Sequence, residues 1–137
     1  MKDTILHTQK NLSFSKEIVK NLPPAIKKRL PKEIVVIAVS PRESLKLNRR
    51  YRHKRKPANV LSFLYGRDYG EIIICPSVIA QDAKKQGNAQ IFQMTWMVAH
   101  GMLHLAGMHH ERSHATAKKV EKIEQRILSI LERKMKK

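Results

Sequence analysis

The chain has 137 residues, with 28 Lys+Arg against 11 Asp+Glu, giving a formal net charge of +17. That length suits one domain, and 42% hydrophobic residues can build a core, which excludes wholesale disorder. No apolar run approaches the roughly 20 residues of a membrane-spanning helix, and the N-terminus lacks a signal peptide's apolar core. The expectation is a single soluble, cytoplasmic domain over residues 1–137 with no membrane partner. Cys75 is the only cysteine, which excludes internal disulfides and an all-cysteine metal site.

In chain order, Leu12–Leu30 carries apolar residues at helical spacing, broken near Pro23-Pro24, and predicts two short helices around a kink. Ile34–Val39 is a β-branched run that predicts a buried strand. Ser40, Pro41 and Glu43 form a helix-start pattern, and that helix should run through Leu45 and Leu47 towards Tyr51. The runs 60–65 and 71–75 predict two strands around a glycine turn, paired antiparallel or as an arch. Ser77–Gln86 fits a short helix ended by Gly87. Asn88 is the expected cap of a long helix through Ala106, with Gly107 in a left-handed conformation as its terminator. Ser113–Met135 is an amphipathic helix with Val120, Ile123, Ile127, Ile130 and Leu131 on one face. The fold class is α/β (α+β): a small mixed sheet with helices packed around it, one of them long and histidine-bearing.

Charge is unevenly placed. Residues 49–56, RRYRHKRK, hold six cations and no acid, whereas 57–111 is almost neutral. A polyanion is the natural partner for such a block, since each neutralised phosphate releases counterions. A solvated basic loop is the bland alternative for Lys54 and Lys56 singly.

Five of the seven histidines lie between His100 and His114. His100 and His104 are four apart on a predicted helix, so both rings leave one face, and Gly107 lets the chain turn back towards His110. Three imidazoles around zinc leave a fourth position for water, the composition of a catalytic rather than a structural site. A lone histidine on an apolar face is usually a satisfied core residue; a pair at this spacing with a third beyond a helix-ending glycine is not. Of the doublet His109-His110, only one side chain can face the metal, and the offset from Gly107 selects His110. His109 should turn to solvent or serve as an outer hydrogen-bond partner. Zinc peptidases place a glutamate directly after the first histidine as general base, but that position here is Gly101.

HGMLHLAGMHH (100–110) resembles the His-Gly-x-Leu-His-Leu-x-Gly-x-Asp-His signature of the bacterial YbeY family. Leu47-Asn48, Tyr51-Arg52, Pro57, Val60-Leu61-Ser62-Phe63 and Gly70-Glu71-Ile72 follow the same family's order. The resemblance covers about residues 34 to 131. It implies a metal-dependent endoribonuclease of ribosomal RNA maturation, one Zn2+ (or another divalent ion) on His100, His104 and His110, and a catalytic arginine at Arg52. Departures are His109 for the family's aspartate, Ala58-Asn59 for Thr-Asp, and Glu71 where aspartate is common.

The leading expectation is therefore a zinc-dependent endoribonuclease acting on single-stranded RNA, with ribosomal RNA precursors and the ribosome as partners. Arg49, Arg50, Lys54, Arg55 and Lys56 would track the phosphate backbone. A non-catalytic, metal-stabilised RNA- or ribosome-binding factor is the alternative, and a metallopeptidase comes third. Seven aromatic residues make extensive base stacking unexpected, so recognition should rest on phosphates and RNA shape.

Overall fold

The computed structural model describes residues 4–109 and 113–135. In chain order they form β1 (Ile5–Thr8), a 3-10 turn (Lys10–Leu12), α1 (Ser15–Lys20), α2 (Pro24–Lys27), β2 (Glu33–Ala38) and α3 (Pro41–Arg52). There follow β3 (Val60–Tyr65), β4 (Tyr69–Ile74), α4 (Pro76–Gln86), α5 (Gln90–Leu105) and α6 (His114–Met135). One four-stranded sheet has the order β1-β2-β4-β3. β1 and β4 flank β2 in parallel, with Val36 opposite Ile72, and β3 closes the far edge antiparallel to β4, with Phe63 opposite Glu71. The 60–65 and 71–75 runs are thus a hairpin.

β2 reads as an unbroken apolar run because both of its faces are covered. Ile34 and Val36 join Ile72 and Ile74 in the main core, beneath Val98, Met102 and Leu103 of α5. On the other face Ile37, Leu61, Ile73 and Phe63 pack with Leu47 of α3. α6 adds Val120, Ile127 and Leu131 to the α5 side, while Ile123 packs partly buried beside them.

Two differences from the sequence reading have local causes. β1 carries no strand signal in the sequence: four residues with Ile5 57% exposed are held by the ladder of β2 rather than by their own pattern. Asn88 does not cap α5, whose N-cap is Ala89; its amide instead donates to Gln93 Oε1 at 2.9 Å, and its backbone N–H closes α4 on Ala83. Gly107 behaves as expected. At φ 84° it lets its own N–H reach His104 O and the Met108 N–H reach Leu103 O, both at 2.9 Å.

Candidate functional site

A cavity of about 600 Å3 opens where the end of α3, the strand β3 and the middle of α5 meet. Each wall is set by local chemistry. α3 begins where Ser40 Oγ accepts from the Glu43 N–H at 3.1 Å and ends at His53, in the left-handed conformation at φ 57°. Arg49, Arg50 and Arg52 occupy its last turn, where cations complement the helix dipole. Buried Ser44 donates to Ala58 O at 2.8 Å and accepts from Ala58 N at 2.9 Å, and Asn48 donates to Lys56 O at 2.8 Å. These bonds pin the basic loop back onto α3.

Arg52 lines the cavity and is exposed. Arg49 and Arg50 instead line an outer groove with Arg42 and Lys46, and Lys54, Arg55 and Lys56 are exposed on the following loop. Asn59 also lines the cavity, yet its polar atoms are engaged locally, with Val60 N at 2.7 Å and Asp82 Oδ2 at 3.3 Å.

α5 supplies the histidines. His100 and His104 are half-buried in the cavity with ring centroids 4.5 Å apart, as their one-turn spacing requires. His109 is half-buried there too, its ring edge-on to His104 at 5.0 Å, so it does not turn to solvent. Among the described residues no three His, Cys, Asp or Glu side chains are grouped to hold a metal together. The third expected ligand, His110, lies outside the described residues.

Gly101 has a steric reason. A Cβ there would stand 2.9 Å from Ile72 Cγ2 and 3.1 Å from Ser62 Oγ, so position 101 faces the sheet at close approach. A glutamate at this point of α5 would be driven into β4.

Glu124 is the site residue that the sequence reading missed. It is 6% exposed on α6, accepts from Trp96 Nε1 at 2.9 Å, and lies 3.3 Å from His100 Nδ1 through the same oxygen. A carboxylate only accepts, so this contact places the imidazole proton on Nδ1 and leaves Nε2 as the ring's basic nitrogen. That is how a carboxylate prepares a histidine for a metal. The signal was present: Glu124 sits four after Val120 and three before Ile127, on the buried face of the helix, where a carboxylate needs a partner. The donor set therefore suits a divalent cation: imidazoles one turn apart, one of them oriented by a buried acid.

A profile of the family described as Endoribonuclease YbeY matches residues 2–132. Endoribonuclease YbeY of Thermotoga neapolitana is 39% identical over 111 residues, covering 77% of this chain and 74% of the relative. Endoribonuclease YbeY of Thermodesulfovibrio yellowstonii is 36% identical over 135 residues, covering 93% and 80%. The solution structure of TM1509 from Thermotoga maritima superposes with a TM-score of 0.65 at 26% identity, covering 96% of this chain and 92% of that one. With the profile spanning nearly all of its length, the chain belongs to the endoribonuclease YbeY family.

Proposed function

We propose that the protein is a zinc-dependent endoribonuclease that cleaves single-stranded RNA in ribosomal RNA precursors, at the 3′ end of 16S rRNA, and serves ribosome quality control. His100, His104 and His110 would hold the ion. The observation that carries this reading is that Arg52 and the pair His100/His104, remote in sequence, share one cavity bordered by a basic loop.

A divalent ion held by these residues would supply Lewis-acid polarisation of a phosphoryl oxygen or activation of the attacking hydroxyl, whether of water or of a ribose 2′-OH. The protein's own residues do the rest. Arg52 offers a planar fork of donors to the non-bridging oxygens, where charge develops during cleavage. Glu124 fixes the His100 ring and its tautomer. Arg49, Arg50, Lys54, Arg55 and Lys56 hold flanking phosphates, which sets register on the RNA without reading sequence.

The test is cleavage of end-labelled single-stranded RNA with and without chelator, in wild type and Arg52→Ala. Cleavage should require the metal, and Arg52→Ala should lower turnover by about 10²-fold or more at unchanged metal content. Chelator-resistant cleavage refutes the metal's role. Wild-type turnover in Arg52→Ala refutes the arginine's. A protein that binds RNA but never cuts it would be the non-catalytic assembly factor.

A further inference from the structure

Four of the seven aromatic residues stand together beside the cavity. Tyr51, at the end of α3, meets Phe63 of β3 edge-on, with ring centroids 5.0 Å apart, and both line the cavity wall. Phe63 and Tyr65 are two apart on β3 and leave the same face of the sheet. Across the strand pair Tyr65 is opposite Tyr69, their ring centroids 5.6 Å apart and tilted by 32°. Tyr51 is 52% and Tyr65 54% exposed. Singly, an exposed tyrosine needs no ligand. Here the rings run in series from the cavity mouth along the part of the sheet face nearest its free edge.

The rings are held in place. Tyr69 Oη donates to Glu71 Oε2 at 3.1 Å. Hydrogen bonding to Glu71, then burial, then the charges of Glu71, Tyr51 and Tyr69 push the Tyr65 phenol above its ordinary value. Glu71 is thus engaged by phenols. At the cavity end of the row the charge is positive: the Arg50 guanidinium carbon lies 5.4 Å from the Tyr51 ring centroid, and Arg49, Arg50 and Arg52 share the last turn of α3 with Tyr51. A partner with flat π faces and a regular negative charge fits both features.

We propose that Tyr51, Phe63 and Tyr65 form a stacking platform for the bases of single-stranded RNA that flank the bond held in the cavity. The platform rests on the endoribonuclease reading and adds a base-contacting subsite to it. Stacking tolerates any base, so the platform favours unpaired over duplex RNA without sequence readout.

The test compares binding of a labelled single-stranded RNA of about eight nucleotides with that of a base-free ribose-phosphate chain of equal length. Tyr65→Ala should weaken RNA binding by about 5- to 150-fold and leave the base-free chain unaffected. Tyr65→Leu, which keeps apolar cover on the strand, should behave as Tyr65→Ala does, and Tyr65→Phe should bind as wild type. Equal loss on both chains, or none on either, overturns the platform. Full RNA affinity in Tyr65→Ala from an enzyme that still cuts RNA overturns the platform alone. A wild type that neither binds nor cuts RNA overturns the endoribonuclease reading as well. Selective loss of affinity for a protein partner, with RNA binding intact, would assign the row to that partner instead.

Discussion

Glu124 allows a structural role to be separated from a positioning one. Its Oε2 accepts from Trp96 Nε1 at 2.9 Å and faces His100 Nδ1 at 3.3 Å, while Oε1 stands 3.5 Å from the same nitrogen. In Glu124→Gln an amide oxygen can take the place of Oε2 and keep both contacts. What is lost is the charge assistance, about half of each bond's strength, so the cost to stability should be about 1 kcal/mol. Glu124→Ala leaves a half-buried indole N–H without its acceptor and opens space beside Trp96, for about 2–4 kcal/mol. Urea unfolding reads these losses. The positioning role predicts a second, separate effect: zinc affinity, measured by competition with a chromophoric chelator, should fall by about 10-fold in the glutamine variant and towards 100-fold in the alanine variant. Nitrogen-15 shifts of His100 should report loss of the Nδ1–H tautomer in the alanine variant and its retention in the glutamine variant. If Glu124→Ala is destabilised yet holds zinc as tightly as wild type, Glu124 serves Trp96 alone and the orienting argument is wrong.

Three further outcomes are expected. Gly101→Ala must displace Ile72 or Ser62 at 2.9–3.1 Å; overpacking costs about 1–3 kcal/mol against about 1 kcal/mol of helix propensity gained, so urea unfolding should show a net loss of up to about 2 kcal/mol. A more stable Gly101→Ala would mean that the sheet does not press on α5 there. Neutralising Lys54, Arg55 and Lys56 together should reduce the slope of log affinity for single-stranded RNA against log salt by about 2, and an unchanged slope would return that loop to plain solvation. The phenols of Tyr65, through hydrogen bonding to Glu71, and of Tyr69, through burial, are both raised above 10.0, so stability they contribute is present below that value and fades as pH climbs through the raised values. Absorbance titration at 295 nm should show two late-ionising phenols, and Glu71→Gln should bring Tyr65 back down; no change in that variant would refute the cause.

Much of the fold was legible because its signals are local. The Ser40-Pro41-Glu43 start of α3, the glycine stop at 107 and the apolar stripe of α6 each act within a turn or two of the chain. Where the reading failed, the deciding partner was distant. β1 exists through β2, and Asn88 is drawn away from α5 by Gln93 and the end of α4. Glu124 was overlooked for a related reason: its partners Trp96 and His100 come from α5, and in the sequence only its place among Val120, Ile123 and Ile127 marks the buried face. The aromatic row was invisible for the same cause, since Tyr51 meets Phe63 only when α3 folds over the sheet.

Gly101 and Glu124 together decide what kind of cleft α5 can build. Two histidines one turn apart are common to zinc peptidases, in which the residue after the first histidine is the general base. In this chain that residue faces Ile72 and Ser62 at contact distance, so no acid can occupy it without parting helix from sheet. The acid arrives instead from α6, behind His100, and its oxygen is engaged by Trp96 and the ring nitrogen. A carboxylate so held can orient the His100 ring and is poorly placed to take a proton from a substrate. The open side of the cleft is furnished by Arg52 and a cationic loop that Ser44 and Asn48 tie down. Such a cleft gains little on a neutral peptide and much on a phosphodiester, whose charge the arginine can meet as it develops.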